Sequence, residues 1–211
     1  MIKSLKVVVF FAGLIPLGLL GWRAYTGGLG ANPIEFITHS TGDWTMRFLL
    51  ITLAVTPVRK LTGWLWLIRF RRMLGLFAFF YGGLHFLTYI WLDKFFDVHE
   101  MLADIAKRKF ITLGFTAFVL MIPLAITSTQ GWIRRLGGRR WNLLHRLIYA
   151  SAVAGVIHYW WLVKADIRKP LQYAVILSIL LAYRIAVWGI GRARSAKPAP
   201  LPRRRVEVSQ S

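Results

Sequence analysis

The sequence predicts an all-α integral membrane protein, a bundle of six transmembrane helices with both termini on the cytoplasmic side. Three observations carry that expectation. Of the 211 residues, 56% are hydrophobic and only 17% are charged, whereas an ordinary soluble domain carries about 25% charged residues. The apolar residues gather into six long runs, and the lysines and arginines concentrate in every second connection between them.

The runs cover roughly residues 7–22, 44–58, 73–92, 110–127, 143–163 and 171–190. Several approach the ~20 residues that span a bilayer core. The first follows the basic start "MIKSLK", as in a signal peptide, but no small-x-small cleavage site comes after it, so it is expected to stay as a span. Pro16 and Pro57 are expected to interrupt or end the first two helices. Pro123 should kink the fourth, because proline frees a carbonyl one turn back.

An even number of spans puts both termini on one side. That side holds Lys3, Lys6, Arg59, Lys60, Arg69, Arg71, Arg72, Arg134, Arg135, Arg139 and Arg140. Seven of the eight acidic residues fall opposite: Glu35, Asp43, Asp93, Asp97, Glu100, Asp104 and Asp166. The positive-inside rule then places the termini in the cytoplasm. Residues 1–191 form one transmembrane domain. Residues 192–211, "RARSAKPAPLPRRRVEVSQS", read as a short disordered basic tail suited to anionic lipid heads. That leaves no room for a soluble nucleotide- or flavin-binding domain, and no phosphate loop or internal repeat occurs.

Composition also excludes. Without cysteine there are no disulfides, iron–sulfur clusters or thiol nucleophiles. The net charge of +20 does not indicate nucleic acid, since long apolar runs separate the basic residues and no continuous stripe forms.

The five histidines carry the chemistry. His39 and His99 are expected in outer loops, where a solvated histidine is the ordinary case. His85, His145 and His158 lie within apolar runs. A charged side chain at membrane depth costs about 2.5 kcal/mol or more, so each should be neutral, face the bundle interior and have a partner. One such histidine is well explained by a hydrogen bond to a neighbouring helix. Three in one bundle, with no acid nearby to make a proton relay, call for more. His85 lies thirteen residues past Arg72, and His158 about as far along a helix entering from the same side near Trp141. At 1.5 Å per residue both stand ~20 Å from the cytoplasmic edge. Two neutral imidazoles opposed across a four-helix core make an axial pair for a haem iron. His145 sits about 20 Å below His158 and suits a second redox centre. Thirteen residues at 100° each leave those two off a common face. Either the helix bends around "ASAVAG", or the rings address different sides. That small-residue stretch could admit something flat, or serve ordinary tight packing. Zinc fits poorly, for want of a third ligand at that level. Arg72, level with His145, would suit a haem propionate or another anionic cofactor, although topology alone puts basic residues at that edge.

The blocks "GGLGANPIEFITHSTGDWTMRFLLITLAVTPVRK", "RFRRMLGLFAFFYGGLHFLTY" and "ITSTQGWIRRLGGRRWNLLHRLIYASAVAGVIHYWW" resemble the haem-binding membrane subunits of bacterial methionine sulfoxide reductase systems, the MsrQ (YedZ) family. The resemblance runs over roughly residues 13–185, and extends more distantly to the ferric reductase and NADPH oxidase transmembrane superfamily. It implies a b-type haem protein of the inner membrane, fed by the quinone pool or by a cytoplasmic flavin reductase. The electrons would pass to MsrP, a periplasmic molybdopterin enzyme that reduces methionine sulfoxide in oxidised proteins. Sulfoxide chemistry would belong to that partner, leaving this chain a redox subunit without catalytic residues of its own. Flavin mononucleotide (FMN) is also associated with the family. His85, His145 and His158 match the family's haem-ligand histidines, and His39 matches a family position without an assigned role. Larger superfamily members carry two histidines on each of two helices; here Arg72 stands at the level of the missing one. The resemblance therefore favours a haem between His85 and His158. A second haem on His145 would need a weaker or non-histidine partner, or that level would serve a quinone or flavin. The competing readings are a stand-alone ferric or oxygen reductase, which lacks its dehydrogenase domain here, and a transporter with structural histidines, which would be colourless.

Overall fold

Asn32 starts the longest helix among the described residues by accepting a hydrogen bond from the Glu35 N–H at 3.2 Å while donating its own amide to Glu35 Oε2. Pro33 fits at the first helical position, and Gly63, at φ 74°, ends the helix in the left-handed conformation that glycine tolerates. The computed structural model describes residues 2–163 and 165–195. Among them are eight α-helices, a short 3-10 helix (Leu65–Arg69) and no strand: α1 (Ile2–Tyr25), α2 (Pro33–Thr62), α3 (Arg71–Leu87), α4 (Val98–Lys107), α5 (Lys109–Ile126), α6 (Gln130–Leu144), α7 (Leu147–Leu162) and α8 (Arg168–Ser195). A wider π-turn, Thr88–Asp93, prolongs α3.

The core is a four-helix arrangement. α2 packs along α3, α5 along α7, and α3 against α5, while α8 leans on α2 and α7 and α1 touches α2 and α3. Leu49, Leu53, Ala78, Tyr81 and Ala152 are nearly inaccessible, and the Phe48 ring stacks between Phe77 and Tyr81 at 5.2 and 5.4 Å. The outer surfaces stay apolar, as at Phe11, Leu19, Ile179 and Trp188, which suits a lipid solvent. Four helices are long and apolar enough to cross a membrane: α1, α3 with its extension, α5 and α8. α7 is shorter, at 16 residues. Arg59, Arg71 and the 134–140 segment mark a basic end of the bundle, and Glu35, Asp93, Glu100 and Asp104 mark the other, acidic end.

Two prolines do not do what the sequence suggests. Pro16 and Pro57 sit inside unbroken helices. In α1 the Tyr81 hydroxyl inserts next to Pro16, donating to the Gly13 carbonyl at 2.8 Å and accepting from the Leu17 N–H at 3.2 Å. In α2 the carbonyl left free by Pro57 is that of Leu53, and Arg184 Nη2 of α8 donates to it at 2.8 Å. Arg184 thus supplies the donor that Pro57 removes, Tyr81 bridges the Gly13–Leu17 pair beside Pro16, and both helices continue. Tyr81→Phe is expected to cost about 1–3 kcal/mol, because it strands a buried donor and acceptor together. Thermal unfolding in detergent measures this, and an unchanged midpoint would deny the hydroxyl that role.

α4 and α6 occupy segments the hydropathy pattern reads as connections. α6 is broken at Gly137, whose φ of 72° and ψ of 153° leave the helical region. α4 is clasped to the acidic end by Lys94, 7% exposed, which pairs with Glu100 and with Asp104 Oδ2 at 2.7 Å. The hydrogen bond from Lys94 holds the Asp104 carboxyl below its ordinary value of 3.8, and Asp104, then Glu100, raise the Lys94 ammonium above its ordinary 10.5. The depressed Asp104 contributes stability above the unfolded carboxyl value, lost as pH falls through the folded one. The raised Lys94 contributes below the unfolded lysine value, lost as pH rises through the folded one. Hydrogen exchange of 98–107, corrected for intrinsic rate, is therefore expected to stay flat between those limits and to rise below pH 3.8. A rise in the neutral range would contradict the clasp. At the other terminus α8 continues through Arg192 to Ser195, and the rest of the predicted disordered tail lies outside the described residues.

Candidate functional site

Each of the four core helices places one glycine on a common cavity: Gly42 of α2, Gly82 of α3, Gly114 of α5 and Gly155 of α7. The cavity measures about 520 Å³, within the range of cofactor sites. Its wall towards the middle of the bundle is apolar (Met46, Leu49, Ala117, Met121), and its acidic-end mouth is polar (Glu35, His39, Asp93, Arg108).

His85 of α3 and His158 of α7 both line it, with ring centres 6.1 Å apart and planes at 74°. Each ring is oriented through Nδ1. His85 Nδ1 meets the Thr38 carbonyl at 2.9 Å, and His158 Nδ1 meets the Phe110 carbonyl at 2.6 Å. A carbonyl can only accept, so both Nδ1 atoms carry the proton and both Nε2 atoms keep a lone pair. Backbone carbonyls orient metal-binding histidines in this way. Glycine makes room for the rings. A Cβ at Gly114 would stand 2.7 Å from His158 Nδ1, and one at Gly42 would stand 3.1 Å from His85 Cε1.

The donor set discriminates between metals. Among the described residues no group of three or more His, Cys, Asp or Glu side chains could hold a bare ion. Two imidazoles suffice where the in-plane ligands arrive with the metal, as in a porphyrin. With a metal–nitrogen distance of ~2 Å and the ring centre about 1 Å behind the nitrogen, two imidazoles flanking one ion stand about 6 Å apart. The observed 6.1 Å fits, and His85 and His158 are the residues that would hold a haem.

The other candidates separate. His145 is not on α7: it caps the end of α6, and α7 begins at Leu147. No bend at "ASAVAG" is required, because the helices break between the two histidines. Its ring stacks on Trp141 at 3.8 Å, its Nδ1 meets the Trp141 carbonyl at 3.1 Å, and its Nε2 is buried without a hydrogen-bond partner. Arg72 is exposed, whereas its neighbour Arg71 turns partly inward within electrostatic range of His145. His39 belongs to α2, not to a loop, and lies at the cavity mouth 3.7 Å from Glu35; His99 is exposed on α4. Asp43, expected in a loop, is buried on α2, where Lys169 Nζ lies 2.9 Å away and the Tyr173 hydroxyl 3.4 Å. Sequence reasoning passes over Gly114, whose signal is a glycine inside an apolar run, and over Gly42, which stands in a polar stretch and carries no such signal. It also passes over Arg184, an arginine inside the last apolar run.

Residues 41–156 match the family described as ferric reductase like transmembrane component. A protein from Herminiimonas arsenicoxydans called the heme-binding subunit MsrQ of protein-methionine-sulfoxide reductase is 58% identical over 183 residues, covering 86% of this chain and 84% of that protein. Proteins of the same description from Azospira oryzae and Xanthomonas campestris are 50% and 51% identical, covering 95% and 94% of this chain and 88% and 95% of their own lengths. No solved structure matches.

Proposed function

The chain belongs to the ferric reductase-like transmembrane family and, within it, to the MsrQ heme-binding subunits, and on that footing we propose that it conducts electrons across the bacterial inner membrane to a periplasmic methionine sulfoxide reductase. The observation that carries this reading is the pair of carbonyl-oriented imidazoles facing one cavity at 6.1 Å. Six helices would cross the membrane, α2 and α7 joining the four apolar ones, with the basic end and both termini in the cytoplasm. The partner is MsrP, a molybdopterin enzyme that reduces methionine sulfoxide in oxidised proteins. The donor is the quinone pool or a cytoplasmic flavin reductase, with FMN as a further carrier that the resemblance implies.

Haem b, when bound, supplies one-electron transfer. The chain's own residues do the rest. His85 and His158 would hold the haem iron, and the Thr38 and Phe110 carbonyls fix their tautomer and direction. Met46, Leu49 and Met121 keep water from the inner wall, and such burial and axial ligation set the potential. His145, its Nε2 without a hydrogen-bond partner at the basic end, would hold a second haem or flank a quinone or flavin. Reduction of a sulfoxide consumes electrons and protons at the partner, so no nucleophile or general base is needed here.

The test is an oxidised-minus-reduced optical spectrum of the purified protein with haem stoichiometry by pyridine extraction. Two b-type haems per chain would put iron on His145 as well, and one would leave the basic end to quinone or flavin. A colourless protein made with ample haem would overturn the reading in favour of a transporter. Comparing quinol with reduced flavin as donor in isolated membranes identifies the input.

A further inference from the structure

Three helices bring two arginines and a tyrosine together at the basic end with no acid among them. Arg71 is the first residue of α3, Tyr149 the third of α7, and Arg184 lies on α8. Arg184 Nη1 donates to the Tyr149 hydroxyl at 2.7 Å, and its guanidinium carbon stands 5.0 Å over the Tyr149 ring. Arg71 is within electrostatic range of Arg184, Tyr149 and His145. Polar atoms here are left over. Arg184 Nε is buried without a hydrogen-bond partner, as are Thr56 Oγ1 and Arg59 Nε further along α2 from Leu53. Every described carboxylate lies elsewhere, Asp43 being the nearest along α2 and ten residues before Leu53, or about 15 Å of helix.

A carbonyl and a phenol satisfy hydrogen bonds of Arg184 but do not neutralise it. Two guanidiniums in range of each other at the edge of an apolar slab repel, and each pays for partial desolvation. An oxyanion resolves both problems: it offsets the charge, and its oxygens take the leftover donors in the forked geometry guanidinium prefers. The depth also suits one. Arg71 and Tyr149 open their helices, so the cluster lies where lipid headgroups meet acyl chains.

We propose that Arg71, Arg184 and Tyr149 form a binding site for the phosphate of an anionic ligand, supplied by a phospholipid headgroup or by a soluble phosphate. The site does not rest on the electron-transfer reading, because it requires no iron on any histidine. Basic pockets between helices at the cytoplasmic face are a known way of holding anionic lipids.

The test uses the full chain in nanodiscs of phosphatidylcholine doped with phosphatidylglycerol, read by native mass spectrometry. The expected result is one retained phosphatidylglycerol, preferred over phosphatidylcholine by about tenfold or more. Arg184→Gln and Arg71→Gln should each abolish most of that preference. Arg71→Gln leaves the Arg184 bonds to Leu53 and Tyr149 in place, which guards against a loss that is merely unfolding. Excess inorganic phosphate separates the sources: displacement of the lipid shows that the site takes phosphate from solution, and resistance assigns it to the headgroup. Either outcome supports the site. Wild-type protein with no preference for phosphatidylglycerol and no phosphate binding overturns it, as does Arg71→Gln protein with the full preference. The readout is lipid mass, so a colourless protein would sink the electron-transfer reading and leave this one standing.

Discussion

His158→Ala is expected to yield a protein that inserts normally, keeps its helical content and has no haem at the level of His85. A lone imidazole on α3 cannot supply both axial positions, and among the described residues no third His, Cys, Asp or Glu side chain joins the pair as a metal group. The substitution also removes the hydrogen bond that His158 Nδ1 donates to the Phe110 carbonyl. That costs about 0.5–1.5 kcal/mol of stability, a loss that must be told apart from the loss of a ligand. Free imidazole in the medium makes the distinction: it should restore colour to His158→Ala protein if the residue supplies a nitrogen to iron, and do nothing if the residue only braces the helices. Full haem retention in the variant would refute the axial assignment.

Gly114→Ala is expected to weaken haem retention by about 10–100-fold, the cost of disturbing a residue that orients a metal ligand. The added methyl would lie 2.7 Å from His158 Nδ1 and 2.8 Å from Cε1, closer than carbon contacts allow. The ring must swing away, and its hydrogen bond to Phe110 goes with it. Gly83→Ala provides the control, since its nearest neighbour, Phe118 Cζ, would be 4.0 Å off. Gly42→Ala should fall between the two, at 3.1 Å from His85 Cε1. Equal haem content in all three variants would show that the cavity tolerates a displaced imidazole.

These effects trace to features of unequal legibility. The opposition of His85 and His158 is readable in the sequence because depth follows rise per residue, and two helices entering from one side bring equal counts to equal levels. The position of His145 is not. The run from Leu143 to Val163 is interrupted only by His145 and Arg146, and a polar pair that a continuous helix could also carry does not by itself signal that one helix ends at Leu144 and another starts at Leu147. α4 and α6 escape for a related reason: one is short and two-faced, the other rich in arginine, and a search for apolar length passes over both. Asp43 reads as a loop residue because it is charged, and becomes a helix residue because Lys169 is there to meet it. Pro16 and Pro57 mislead most. Their usual effect assumes an isolated helix, and the remedy comes from Tyr81 and Arg184, far away in the chain.

Synthesis gives that last pairing an order in time. The Leu53 carbonyl and Arg184 are separated by 131 positions, which a ribosome takes roughly 10 s to cover at ordinary speed. Through that interval the second helix has a carbonyl with no permanent partner, and water or a lipid headgroup has to fill in for it. A chain that stops before α8 keeps the defect indefinitely. Arg184 therefore closes the gap only after the chain from α2 through α8 has been made, so the second helix is finished by a residue synthesised long after it.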